Sequence, residues 1–223
     1  MNVIAVSNDL YDTTDLLNKD GYAYLRNKTD LTIDNLLQYK PEYVFFPHWS
    51  YIIPKKVYER FTCVMFHMTD LPFGRGGSPL QNLIERKIYH TKISAIKCSK
   101  GVDTGDIYLK RDFDISEGSA GELYLKAANL ISVMIDEIIK LKPIPIAQTG
   151  EVIEFKRRTP NQSEISKVND LDSAYDYIRM LDAPGYPNAF LKSGSIKYDF
   201  QNVRREGNNL FASVKIYMEE QHE

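Results

Sequence analysis

The chain opens with NVIAV (2–6), an unbroken apolar, β-branched run of the kind that a strand covered on both faces requires. Two more such runs follow, EYVFFP (42–47) and TCVMFHM (62–68), and between them the apolar spacing changes. In TDLTIDNLLQYKP (29–41) the apolar residues fall at Leu31, Ile33, Leu36 and Leu37, along one face of a helix. Thr29 or Asp30 serves as its cap and Pro41 stops it. TDLLNKDG (14–21) supplies one or two helical turns closed by Gly21, and YAYLRN (22–27) a further strand. PKKVYERF (54–61), with Pro54 in the first position, and PLQNLIERK (79–87) are short helices. KISAIKCS (92–99) and the alternating DIYLKRDFDI (106–115) read as strands. SAGELYLKAANLISVMIDEIIKLK (119–142) is the longest helix, ended by PIPI.

Strand and helix alternate from residue 2 to about residue 88, which predicts an α/β fold with a mainly parallel, doubly wound, twisted sheet. Such sheets bind ligands beyond the carboxyl ends of their strands. After residue 147 the pattern changes. QTGEVIEFKRRTPNQSEI (148–165) is extended and polar, LDSAYDYIRMLD (171–182) is a helix and APGYPNAF (183–190) a turn. LKSGSIKYDF (191–200) and NNLFASVKIYM (208–218) are strands hinged at EGNN. This small β-rich appendage is too short to hold a core alone and is expected to pack against the larger part. The division falls at 1–147 and 148–223.

Composition excludes more than it selects. Hydrophobic residues make up 43% and charged residues 26%, as in an ordinary globular protein, and a net charge of −2 gives no basic surface for nucleic acid. Cys63 and Cys98 sit in apolar stretches without metal-ligand spacing and read as reduced core residues of a cytoplasmic protein. The start, MNVIAVSNDL, shows neither a signal peptide nor a membrane span. Oligomeric state is left open.

The chemistry concentrates in FHMTDLPFGRGGSPLQNLIERK (66–87), where His67 ends a strand and Gly-Arg-Gly-Gly precedes a helix. An anion grip, a metal site and proton chemistry are the three uses of such a loop. The histidines at 48, 67, 90 and 222 form no ligand spacing, so no metal is expected. GRGGSP lacks the lysine and hydroxyl of a phosphate loop. A buried His67 bonded to a backbone carbonyl, and an Asp103 that only shapes a turn in GVDTGDIYL, are the plain structural readings.

Together the motifs are more specific. HMTDLPFGRGGSPL (67–80), followed by DTGDI from position 103, resembles the folate-dependent formyltransferase family. The family pattern is Asn-x-His-Pro-Ser-Leu-Leu-Pro, then Arg-Gly and a Pro, with Asp-Thr-Gly-Asp at the same separation. His67, Leu71, Pro72, Arg75, Gly76, Pro79, Asp103, Thr104, Gly105 and Asp106 fall in register without a gap. PHWSYIIP (47–54) resembles the family's Ala-Tyr-Gly-x-Ile-Leu-Pro, which lines its pterin pocket. The likeness, covering residues 41 to 146, implies a Rossmann-like catalytic domain in 1–147 and 10-formyltetrahydrofolate as cosubstrate. It implies that His67 accepts or relays the ammonium proton while Asp103 orients the ring and favours its charged form. Trp49, Ile53 and Val102 would hold the pterin, and Arg75 and Gly76 the substrate, with the glycines letting ligands approach the main chain.

One departure stands out: the family asparagine two residues before the histidine is Met65 here, which cannot donate to an oxyanion. Asp70, Asn82 or a backbone N–H is the expected substitute; otherwise the chain is an impaired folate- or nucleotide-binding module. Asp70 itself replaces an apolar family residue, and Ser50 a glycine. For the acceptor, FKRRTPNQSEI (155–165) resembles the sugar N-formyltransferases, and Arg157 and Arg158 would meet a diphosphate. YIRMLDAPGYPNAFL (177–191) is similar to both sugar and tRNA enzymes. Without a basic surface, the expected partner is a small amine, a nucleotide-linked amino sugar, with methionyl-tRNA as the alternative.

Overall fold

The computed structural model describes residues 1–7 and 14–218. Its main sheet has six strands: β1 (Asn2–Val6), β2 (Tyr22–Leu25), β3 (Val44–His48), β4 (Cys63–His67), β6 (His90–Lys97) and β7 (Ile107–Asp114), in the order β2-β1-β3-β4-β6-β7. β2, β1, β3 and β4 pair in parallel, as the both-faces apolar runs require. β6 is antiparallel to both β4 and β7, so it alone runs against the other five. The sheet is thus Rossmann-like and mostly parallel, with one reversed strand.

Residues alternate between two cores. Phe45, Val64, Phe66, Ile93 and Ala95 face one side, covered by α4 (Ala120–Leu141) through Ala127, Ile131, Ile135 and Ile138. Val44, Phe46 and Cys63 face the other, under α1 (Ile33–Tyr39) and α2 (Lys55–Tyr58). The cap of α1 is Thr32, whose hydroxyl accepts from Asn35 N at 3.2 Å. Thr29 and Asp30, expected to cap it, lie in a preceding 3-10 turn (Lys28–Asp30) capped by Asn27. Pro54 precedes α2 as its cap, and that helix is only one turn long. At the start of α4, Ser119 and Glu122 bond each other's backbone N–H in a capping box.

The sequence missed one pairing. The Gly-rich run contains a short strand, β5 (Phe73–Gly76), which pairs in parallel with β8 (Ile153–Phe155) from the polar segment after α4. α3 (Pro79–Glu85) follows directly. α5 (Leu171–Arg179) and a three-stranded antiparallel sheet, β9 (Ala189–Ser193), β10 (Ile196–Glu206) and β11 (Asn209–Met218), complete the chain. Ile178, Met180, Leu181 and Ala189 join the α4 core, as expected of an appendage that cannot bury one alone. Arg179 is buried among them, bonded to Asp176 at 2.7 Å and to the carbonyls of Ile115 and Gly118.

Candidate active site

His67 is the last residue of β4, and the backbone leaves the sheet immediately after it. Its imidazole is buried; Nε2 lies 2.7 Å from the Gly74 carbonyl and Nδ1 3.5 Å from Asp103 Oδ2. A carbonyl can only accept, so Nε2 carries a proton, and Nδ1 faces the carboxylate. Both contacts are acceptors, one beside each ring nitrogen. The carbonyl contact of the plain reading and the carboxylate contact implied by the family are both present.

Asp103 is buried in a left-handed turn (φ 54°) between β6 and β7. Its Oδ2 accepts from Gly76 N–H at 2.9 Å. Gln148 Nε2 donates to the carbonyls of Asp103 and Gly105, both at 2.8 Å. Arg75, expected at the substrate, instead donates through Nε and Nη2 to Gln148 Oε1 at 3.1 and 2.7 Å. Arg75 therefore braces the Asp103 turn. The loop after His67 is tied down by Ser94, whose hydroxyl donates to Thr69 O (2.7 Å) and accepts from Leu71 N (3.3 Å). Neither Gln148 nor Ser94 carries a local sequence signal, since each acts on residues far away in the chain.

Two of the glycines are required by the chain's own packing. A Cβ on Gly76 (φ 105°) would stand 2.3 Å from the Phe155 carbonyl, and one on Gly77 2.6 Å from Arg157 Cβ. What approaches the main chain here is β8 and the residue pair after it.

The two side chains expected as substitute oxyanion donors, Asp70 and Asn82, are already engaged by other groups. Asp70 lies 2.5 Å from Lys110 Nζ and 3.4 Å from Lys92 Nζ. Burial would raise its pKa, but the Lys110 bond and the two lysine charges outweigh it and hold the carboxyl below the usual range. An ionised carboxylate accepts only. The Asn82 amide donates to the carbonyls of Gly77, Ser78 and Lys156, each at 3.0 Å, which commits both of its protons to the loop. Met65 packs against both the α1/α2 core and the small cluster of Leu71, Ile96 and Ile107. Of the residues expected at the pterin, Val102 stands 68% exposed, Trp49 is half-buried and Ile53 is buried, with the neighbouring Ile52 88% exposed.

A cleft of about 1000 Å³ opens at the same strand ends on the α4 side, lined by Ser7, His48, Ser78, Tyr124, Arg157 and Tyr186 among others. The glycine loop touches both places, with Ser78 lining the cleft and Gly76 N–H bonding Asp103. Arg157 is exposed there, whereas the Arg158 side chain is largely buried. Arg158 bonds Glu85 at 2.5 Å and the Gln162 carbonyl at 2.6 Å, with its guanidinium 5.4 Å from the Tyr177 ring. Burial, and then the Arg157 charge, push the His48 imidazole down to about 4. Among the described residues no group of three or more His, Cys, Asp or Glu side chains could hold a metal ion, and no helix is long and apolar enough to cross a membrane. His222 lies outside the described residues.

Comparison with known proteins places these features. Residues 160–217 match the model of the methionyl-tRNA formyltransferase C-terminal domain. The methionyl-tRNA formyltransferase of Rickettsia canadensis is 32% identical over 156 residues, 68% of this chain and 50% of that protein. The chain thus spans about half the length of the curated relatives it matches. A solved structure, methionyl-tRNA formyltransferase from Clostridium thermocellum, is 48% identical with a TM-score of 0.91, covering 98% of this chain and 100% of that one. A 4-N formyltransferase from Francisella tularensis shares the fold at 18% identity and a TM-score of 0.64, covering 98% and 97% of the two chains.

Proposed function

Because the chain belongs to the folate-dependent formyltransferase family, we propose that it moves a formyl group from 10-formyltetrahydrofolate to a primary amine, with methionyl-tRNA as the acceptor. The observation that carries this reading is the buried His67–Asp103 pair at the carboxyl end of β4, fixed by the Gly76 N–H. The amine nitrogen bonds the formyl carbon, giving a tetrahedral oxyanion, and the bond from that carbon to N10 then breaks. The ammonium proton has to reach N10 of the departing tetrahydrofolate, and His67 relays it. Gly74 O and Asp103, one on each ring nitrogen, hold the ring while it is charged.

The folate side has a matching surface. Ile53 belongs to the α1/α2 core against which Trp49 and Met65 also pack, Ile52 and Val102 are exposed, and Trp49 Nε1 is a buried donor without a partner. An unfilled donor beside apolar surface suits a heterocycle rich in acceptors. A cytoplasmic site of action belongs to the same proposal and is supported by two free, buried thiols, Cys63 and Cys98.

The acceptor order drawn from the sequence is reversed. The 48%-identical relative bears the methionyl-tRNA name across its whole length, whereas the sugar enzyme shares only the fold. A nucleotide-linked amino sugar stays as the second reading, favoured by the net charge of −2. The test supplies the purified chain with 10-formyltetrahydrofolate and, separately, methionyl-tRNA and a panel of nucleotide-linked amino sugars. Formylmethionyl-tRNA is the expected product; a formylated sugar alone would establish the second reading, and no product from any acceptor would refute both.

A further inference from the structure

The extended segment between α4 and β8 adds no helix or strand to the main sheet, yet one of its side chains reaches the turn that carries Asp103. Ile146 and Ile107 exchange backbone hydrogen bonds of 2.7 and 3.0 Å, which fixes the segment to the first residue of β7 just before Gln148. From there the half-buried Gln148 side chain reaches back to the turn between β6 and β7. Lys97 N–H bonds the Asp106 carbonyl at 2.8 Å and closes that turn at its base, where a Cβ on Gly105 would collide with the Lys97 carbonyl. Closing the base leaves the tip to be fixed separately. There Asp103 keeps a left-handed backbone, which a residue other than glycine holds only when its surroundings impose it.

Gln148 supplies that constraint. Its amide nitrogen carries two protons, and their acceptors are the carbonyls of Asp103 and Gly105, on either side of Thr104. Bonding both carbonyls from one nitrogen fixes the peptide planes that follow Asp103 and Gly105, and with them the direction of the Asp103 side chain. The amide has only one workable orientation. Turned over, it would set its oxygen against the two carbonyls and its N–H groups against the Arg75 guanidinium, which bonds Oε1 through two nitrogens. Arg75 therefore orients the amide, and the amide orients the turn. The carboxylate aimed in this way accepts from Gly76 N–H and stands beside His67 Nδ1.

We propose that Gln148 is a positioning residue for the transfer, acting on His67 through Asp103, with Arg75 as the group that sets its direction. The catalytic consequence rests on the formyl-transfer reading; the effect on the imidazole's surroundings does not. Two substitutions test it. Gln148→Met keeps the shape and removes every hydrogen bond, whereas Gln148→Glu keeps a partner for Arg75 but has no N–H for the carbonyls. Each should lower kcat by about 10² and leave the KM for 10-formyltetrahydrofolate nearly unchanged. In an Asp103→Asn background either change should cost little more, because a residue that acts only through Asp103 then has nothing left to position. Nitrogen NMR of the whole chain gives a readout without turnover. The His67 Nδ1 resonance should move in both variants toward its place in Asp103→Asn, while Nε2, held at the Gly74 carbonyl, stays. If a Gln148 variant fails to fold, Arg75→Met, which frees the amide to turn over, should give the same pattern. A Gln148→Glu chain as active as the unmodified one, a full further loss in the Asp103→Asn background, or a stationary Nδ1 resonance would each overturn the proposal. An unmodified chain that transfers no formyl group while its variants show the Nδ1 movement would uphold the positioning of the pair and sink the formyl-transfer reading instead.

Discussion

His67 and Asp103 are the residues on which the reading stands, and their burial makes their removal informative. His67→Ala, and Asp103→Asn as a nearly isosteric change, should each lower kcat by about 10²–10⁴ in a formyl-transfer assay, with folate affinity largely kept. Met65 sets a second expectation. Met65→Asn restores the family donor and should raise kcat by as much as ~10²–10³ if an oxyanion donor is limiting. The new amide would sit among Leu71, Ile96 and Ile107 and should cost about 1–3 kcal/mol in urea unfolding. His48 gives a pH signature. Its folded value near 4 lies below the ordinary histidine range, so the unfolded chain takes up the proton first as pH falls. The stability that its neutral form contributes is fully present above about pH 6.5 and is lost progressively toward pH 4, on the order of 3 kcal/mol. Thermal melts over that window should flatten in His48→Ala. The pair at 67 and 103 was legible because two motifs keep a fixed separation. The engagement of Asp70 and Asn82 was not legible, because a donor's availability depends on what already holds it, here Lys110 and three loop carbonyls.

At the scale of elements, apolar periodicity located β1, β3, β4 and α4, because their burial patterns are continuous over several residues. It could not locate β5 or β8, since neither FGRG nor IEF has enough residues to show a period. It was also blind to the reversal of β6, since an apolar strand reads the same in either direction. The cap of α1 shifted because Asn27 and Asp30 close their own turn first. The β5–β8 pairing makes a further expectation. Gly76→Ala forces a methyl toward the Phe155 carbonyl at a positive φ, and should destabilise the chain by about 2–4 kcal/mol. Urea melts would register that loss. Because Gly76 N–H also holds Asp103, kcat should fall in folded Gly76→Ala, whereas Gly194→Ala, with nothing within 4 Å of its added carbon, should leave it unchanged.

At the scale of the molecule, the balance of 28 basic and 30 acidic residues makes the acceptor question electrostatic. If methionyl-tRNA is the acceptor, kcat/KM should fall steeply between about 50 and 200 mM salt, because each phosphate contact releases counterions. A sugar nucleotide should show a shallow slope, and its turnover should persist at the higher salt. The two acceptors can therefore be told apart by one pair of assays on the unmodified chain. The route of the chain through the site has a consequence for its synthesis. Ser78, at the end of the glycine loop, accepts a hydrogen bond from Arg158 N, 80 residues later, and Gly77 N bonds the carbonyl of Phe155. A nascent chain that has left the ribosome only as far as α4 therefore holds His67 and Asp103 but not the strand that seats the loop between them. An interrupted or clipped product should be inert, not half-active. Premature stops anywhere before β8 should then yield products without formyl transfer.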